Sequence, residues 1–188
     1  MAKKTFGPQH WLFPMPAVLM GALVDGKPNY MTAAWCGMVN SSPPTLVVGL
    51  QPVRHTRRGL EEHQTFSINV PSADLVVETD FAGIYTGKKT DKSDLFTSFY
   101  GVLKTAPMIE ECPINLECRV VKMVELESHG VFFGRIMETH ASESCLEDGL
   151  PAIKKMDTFL WSPTDNHYFS VGQPLAKAFS AGKKSLRK

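Results

Sequence analysis

Apolar residues in this chain gather in short runs separated by turn residues, the pattern of a β-rich protein stepping back and forth. Residues 17–24 (Ala-Val-Leu-Met-Gly-Ala-Leu-Val) read as a first strand. Asp25-Gly26 follows as a turn nucleus, because glycine accepts positive φ at little cost, and Pro28 belongs at a turn or an edge because it lacks an amide proton. A second strand is expected over 30–39. Ser41-Ser-Pro-Pro44 then turns the chain into a third strand over 45–50. Pro52 ends that strand, and Thr56 is placed to cap a short helix over 57–63. Thr65-Phe-Ser-Ile-Asn-Val70 alternates as a half-buried strand does, and Pro71 stops it.

Farther along, Ser72 or Asp74 is placed to cap a helix over 75–84, and residues 86–94 form a polar, lysine-rich loop. Residues 95–100 suggest a short helical or turn segment and 105–113 an irregular stretch. Two long strands, 114–126 and 130–140, form a hairpin through Glu127-Ser-His-Gly130, and 159–162 and 168–171 are the last strand candidates. Residues 1–15 read as an extended arm over the surface and 172–188 as a tail, frayed at Lys183-Lys-Ser-Leu-Arg-Lys188. The expectation is a mainly β, single-domain protein over 1–188: an antiparallel barrel with short flanking helices, and no run of β-α-β units.

Composition narrows the partners. A chain of 188 residues buries a core without staples, and a net charge of +1 gives no footprint for nucleic acid or an acidic membrane surface. The four cysteines have no C-x-x-C pairing and read as buried thiols in a reducing compartment. Pro14 and Pro16 break the apolar stretch 11–24, which resembles neither a signal peptide nor a spanning helix, so a cytoplasmic location is expected.

Most catalytic motifs fail. Gly83-Ile-Tyr-Thr-Gly-Lys-Lys-Thr90 is one residue short of a nucleotide-binding loop and is followed by no helix signal. There is no G-x-G-x-x-G and no G-x-S-x-G. The histidines lack metal-ligand spacing, so no metal is expected. What remains is a phosphate-friendly set, Arg54, His55, Thr56 and Arg57 at a helix start with Lys88, Lys89 and Lys92 in a loop, beside a strand of small and hydroxyl residues. Arginines in the first helical turn and glutamates in the last run against the helix dipole, as an anion at the helix start would favour. Alanines let a planar ring approach the backbone. A flat ring with a phosphate tail fits flavin mononucleotide (FMN) and also pyridoxal phosphate.

Pro16-Ala-Val-Leu-Met20, Gly26-Lys-Pro-Asn-Tyr-Met-Thr-Ala-Ala-Trp35, Asn40-Ser-Ser-Pro-Pro44, His55-Thr56, Phe66-Ser-Ile-Asn-Val-Pro71 and Lys89-Thr-Asp-Lys92, in this order, resemble the flavin reductase-like, FMN-binding split-barrel family on its flavoredoxin side. The resemblance spans about residues 14–100. It implies a homodimeric split β-barrel that holds FMN non-covalently near the dimer interface. By position, Asn29, Met31, Thr32, Ala33, Ala34 and Trp35 would border the isoalloxazine, with Cys36 beside it. Ser41 and Ser42 would flank the ring or ribityl chain, Arg54, His55 and Thr56 would hold the phosphate, and Asn69 and Lys92 would complete the site. Taken singly, Asn29 also reads as a turn residue, Thr32 as a β-former, Asn69 as a strand-end cap and Lys92 as a solvated charge.

Gln51-Pro-Val-Arg-His-Thr56 departs from the serine- and threonine-rich segment of many flavin reductases and favours FMN as a prosthetic group. The resemblance thus implies electron transfer or a flavin reductase-type oxidoreduction, with NAD(P)H or a redox protein as partner. The alternatives are a non-catalytic FMN- or phosphate-ligand-binding module and a pyridoxamine-phosphate-oxidase-like enzyme, which would need a second phosphate site.

Overall fold

A computed structural model describes residues 1–184, so most of the expected frayed end at 183–188 lies outside the described residues. Seven strands form one antiparallel sheet: β1 Val18–Val24, β2 Lys27–Ala33, β3 Cys36–Ser41, β4 Pro44–Leu50, β5 Thr65–Val70, β6 Ile114–Glu125 and β7 Gly130–Ala141. Their order across the sheet is β2-β1-β5-β6-β7-β4-β3. The sheet curls around one apolar interior, in which Met31 and Ala33 of β2 share a cluster with Leu46, Val48 and Leu50 of β4, Phe66 of β5 and Phe132 of β7.

The curl brings the two edge strands, β2 and β3, together as chain neighbours with no ladder between them. Only Ala34 and Trp35 bridge the gap. The Gly49 amide donates to the Trp35 carbonyl at 2.9 Å, which anchors the crossing on β4. The single strand expected over 30–39 is therefore two strands on opposite sheet edges. Local composition hides the break because both halves carry β-compatible residues.

The unbroken apolar run of β1 reflects burial on both faces. Met20 and Ala22 face the barrel interior, whereas Leu19 joins Tyr30, Phe96 and Ile109 in a second cluster outside it. Helices α1 (His55–His63) and α2 (Val76–Ile84) lie against this part of the sheet. The β1–β2 turn is built as its residues suggest, with φ of 50° at Asp25 and 78° at Gly26.

The long β6–β7 hairpin is buried at its base and exposed toward its tip, with bulges after Phe133 and Ile136. A second hairpin, β8 (Phe159–Ser162) with β9 (His167–Ser170), pairs with Met15–Pro16 and so ties the end of the arm to the C-terminal region. A short helix, α3 (Ile153–Met156), precedes it. Residues 1–14 have no regular structure and are exposed, and the tail is exposed from 172 to 183.

Three smaller expectations change. Residues 95–100 hold a bend and a two-residue strand, Ser98–Phe99, paired with Met108–Ile109. Neither Ser72 nor Asp74 caps α2 with its side chain, because a short 3₁₀ turn over Ala73–Leu75 leads into the helix. Thr56 is not the cap of α1: Arg54 occupies that position, without a side-chain cap bond, and Thr56 sits inside the first turn. Among the described residues no helix is long and apolar enough to cross a membrane.

Candidate functional site: two joined cavities at the split in the barrel

The first cavity, about 370 Å³, lies at the N-terminus of α1. Pro52 stops β4, and the chain turns there with the Arg54 amide on the Gln51 carbonyl at 3.1 Å. The Arg57 amide donates to the Arg54 carbonyl at 3.1 Å, whereas the His55 and Thr56 amides have no acceptor within the helix. Arg54, His55 and Thr56 line the cavity from this side, and Lys88 and Lys92 line it from the loop after α2. Backbone donors, a helix N-terminus and this set of basic side chains make an anion site.

Asn29 braces the site from β2. Its Nδ2 donates to Thr56 Oγ1 at 2.6 Å, both residues being buried. Thr56 spends its acceptor on Asn29 and keeps its hydroxyl proton to donate. Gly87 closes the loop over the pair: a Cβ there would stand 2.1 Å from Asn29 Oδ1 and 2.7 Å from the His55 ring. Burial, then the nearby Arg58 charge, lowers the pKa of His55. Burial and Arg54 lower that of Lys92 to about 8. Cations crowded in a sheltered pocket are what an anionic ligand would relieve.

The second cavity, about 600 Å³, adjoins the first, and Met31 and Arg54 line both. Its wall includes the crossing between the sheet edges: Thr32, Ala33, Ala34 and Trp35. Thr32 and Ala33 end an edge strand that pairs on one side only, Ala34 lies outside both strands, and the alanines leave the backbone approachable. Thr32 is committed elsewhere, since its hydroxyl donates to the Thr79 carbonyl and ties β2 to α2.

The structure thus brings ten of the fourteen candidate residues to the two cavities: Asn29 as a brace, Met31, Thr32, Ala33, Ala34, Trp35, Arg54, His55, Thr56 and Lys92. Four stand apart. Cys36 lines a third, largely apolar cavity of about 860 Å³ beneath the arm, and burial pushes its thiol up to about 12. Ser41 and Ser42 lie at the β3–β4 turn, roughly 16 Å along the strand from Cys36. Asn69 is the clearest correction. Its Nδ2 donates to the Leu19 carbonyl and Ser67 Oγ, and its Oδ1 accepts from the Ile109 amide and Asn115 Nδ2. It is a buried structural node with no free polar end, because the even spacing of β5 turns it toward the 105–113 segment.

Two charge readings also change. Lys92 is 3% exposed, so it is not a solvated charge. Arg57 and Arg58 do not face the anion cavity: Arg57 pairs with Glu61 and Glu125, and Arg58 with Asp25. The rejected loop motif at 83–90 follows no strand, but its Gly87 and Lys88 border the anion cavity.

Sequence reasoning missed the far wall of the larger cavity. His129, at the β6–β7 turn, stacks on Trp35 with centroids 4.4 Å apart. Trp161 and Tyr168 come from the β8–β9 hairpin, and Tyr168 donates to Asp80 of α2 at 3.0 Å. Nothing local marks these residues, because they meet only when distant segments fold together.

Comparison with known proteins agrees with this geometry. The flavin reductase like domain family matches residues 10–160. A flavoredoxin from Methanosarcina acetivorans is 43% identical, with a TM-score of 0.96 over 98% of this chain and 100% of its own. A flavoredoxin of Desulfovibrio vulgaris (Miyazaki F) is 39% identical, with a TM-score of 0.90 over 96% and 100%. A Shewanella frigidimarina protein with a split barrel domain, 18% identical over 87% of this chain and 84% of its own, shares the fold at a TM-score of 0.74. The split-barrel fold is thus shared with these flavoredoxins, and this chain belongs to the flavin reductase like domain family.

Proposed function

We propose that the protein is an FMN-binding flavoprotein of flavoredoxin or flavin reductase type. The observation that carries this reading is the pair of joined cavities, one basic and at a helix N-terminus, the other bordered by open backbone and small residues. The flavoredoxin relatives support it. Arg54, His55, Thr56 and Lys88 hold the phosphate in the smaller cavity, and the crossing from Met31 to Trp35 borders the ring in the larger one. FMN held there supplies hydride and one-electron transfer. The chain's own work is positioning: Asn29 fixes the Thr56 hydroxyl, Thr32 fixes β2 on α2, and the Trp35–His129 stack shapes the mouth.

The purified protein is expected to take up FMN one to one and turn yellow; a protein that stays colourless in excess FMN overturns the reading. Arg54→Ala removes a cation from the anion cavity and is expected to weaken FMN about tenfold or more. Equilibrium dialysis checks this, with riboflavin as the phosphate-free control. Faster reduction of the bound flavin than of free flavin by NADH, NADPH or a reduced redox protein identifies an oxidoreductase and its donor. No acceleration with any donor favours the non-catalytic module.

We further infer a homodimer. Edge strand β3 leaves Met38 and Val39 exposed, and the long hairpin exposes Val121, Met123, Leu126 and Met137, apolar surface that a second copy would cover. Ser41 and Ser42, remote from their own chain's cavities, enter the proposed site only through such a partner. Light scattering at micromolar concentration is expected to give twice the chain mass.

A further inference from the structure

The third cavity, about 860 Å³ beneath the arm, has a built roof. Residues 1–14 have no regular structure, yet the part above the cavity is held by local contacts. Phe6 and Trp11 pack edge to face with centroids 5.0 Å apart. Gln9 Nε2 donates to the Phe6 carbonyl at 3.1 Å, and the Leu12 amide donates to the His10 carbonyl at 3.0 Å. Met15–Pro16 then pair with the β8–β9 hairpin and fix the end of the arm. The opposite wall is Ala34, Trp35 and Cys36, at the crossing between β2 and β3.

This lining selects against charge. Among the described residues that line the cavity there is no aspartate, glutamate, lysine or arginine. A dinucleotide or a phosphate ester would carry its anionic groups into a space with no such cation to meet them, at a desolvation cost that nothing offsets. Cys36 adds no charge, because burial holds its thiol up at about 12. The cavity offers instead aromatic and aliphatic surface from Phe6, Trp11, Leu12, Pro14 and Met15, with hydrogen-bonding side chains at Gln9 and His10. Gln9 gives one N–H to Phe6 and keeps a second, and a neutral imidazole has one donor and one acceptor. Apolar walls with a few polar groups, around a volume of about 300–1,000 Å³, are characteristic of small-molecule sites.

Position adds an independent observation. His10, Ala34 and Trp35 line both this cavity and the larger cavity of the proposed ring site. His10 comes to Trp35 from the arm, with centroids 5.9 Å apart, and His129 stacks on it from the ring cavity. Trp35 is thus the wall between the two spaces.

We propose that the cavity beneath the arm is a second small-molecule site, which takes an uncharged, flat aromatic compound bearing a carbonyl, of the aromatic-ketone or quinone class, and holds it across Trp35 from the ring cavity. The ring systems of Trp11 and Trp35 suit a flat ligand, the uncharged lining suits a neutral one, and the donors of Gln9 and His10 suit a carbonyl oxygen. The site does not depend on FMN filling its neighbour.

The test is equilibrium dialysis of the full-length protein, with and without saturating FMN, against methyl naphthyl ketone and against naphthoate, an anion of the same size. Wild type is expected to bind the ketone at one site with a dissociation constant on the order of 10–100 μM, as a ligand of this size allows. Naphthoate is expected to bind at least tenfold more weakly, and FMN is expected to leave the ketone in place. Leu12 is 86% exposed and Trp11 42%, so both can be changed without disturbing the sheet. Leu12→Asp puts a carboxylate in the lining and is expected to weaken the ketone at least tenfold. Trp11→Ala removes an aromatic wall and acts in the same direction. Both variants are expected to keep the wild-type urea midpoint and FMN affinity.

Naphthoate bound as tightly as the ketone overturns the proposal. So does ketone binding that neither variant changes, which places the ketone elsewhere on the surface, and so does displacement by FMN or riboflavin, which places it in the ring cavity. Absence of ketone binding overturns it too; if light scattering then gives a dimer that Leu12→Asp separates, a second copy fills the cavity. Wild type that binds the ketone as expected but neither flavin overturns the FMN reading alone.

Discussion

The Asn29–Thr56 hydrogen bond shows how much a side chain contributes by fixing another. Asn29 touches the proposed anion site only through Thr56 Oγ1, yet removing it leaves a buried hydroxyl without its donor. Asn29→Ala is expected to cost about 1–3 kcal/mol in a urea melt of the apoprotein and to weaken FMN as well. Gly87 separates stability from binding. Any side chain there collides with Asn29 and His55, so Gly87→Ala displaces the loop that carries Lys88. That variant is expected to lose about tenfold or more for FMN and little for riboflavin, a loss of about 1.4 kcal/mol confined to the phosphate end. Equal loss for both flavins in dialysis would contradict the assignment of the loop to the phosphate.

Helix α1 joins the two cavities mechanically. Its N-terminus forms the anion cavity, and its first turn also reaches the sheet through Arg57, whose guanidinium pairs with Glu61 and with Glu125 at the end of β6. Arg57 is buried beside Phe132, with its charge centre 5.5 Å from the ring. The β6–β7 turn that follows Glu125 carries His129 to Trp35. Arg57→Met removes both pairs but keeps most of the packing volume. It is expected to destabilise the fold by about 1–3 kcal/mol, read as a lower urea midpoint. The arginine-first, glutamate-last pattern of α1 therefore reflects these lateral pairs. Of Arg54, Arg57 and Arg58, Arg54, ahead of the helix, is the one that faces the cavity.

Across the whole molecule, buried ionisable groups set the pH dependence of stability, and they pull in opposite directions. Burial raises the thiols of Cys36, Cys112 and Cys118 above the ordinary thiol value of 9.0. Their contribution is intact below pH 9 and is lost as pH rises, because the unfolded thiols ionise first. Lys92 is lowered from 10.5 to about 8, so its burial costs stability below pH 8 and that cost is lifted toward pH 10.5. Three groups outweigh one. The apoprotein's urea midpoint is expected to hold to about pH 8.5 and to fall above pH 9, more steeply in Lys92→Met, where the opposing group is absent.

The sequence by itself determined which stretches are strands and most of the anion site. Turn residues punctuate the chain, and a helix start rich in basic residues is a local signal that propensity can read. It also carried the family blocks, from which ten residues at the two cavities were named in advance. Only the tertiary structure decided the rest. The break at Ala34–Trp35 is invisible locally because β2 and β3 are both acceptable strand sequence; their separation follows from pairing, β2 with β1 and β3 with β4, which sets them on opposite edges. Asn69 carries no mark of its four buried partners, which come from β1, from its own strand and from residues 109 and 115. Lys92 reads as a loop charge until α2 ends beside it. The cavity wall of His129, Trp161 and Tyr168 is drawn from turns and hairpins far apart in sequence. Periodicity and spacing report interactions between near neighbours, whereas each of these features depends on which distant backbone the closed sheet brings alongside.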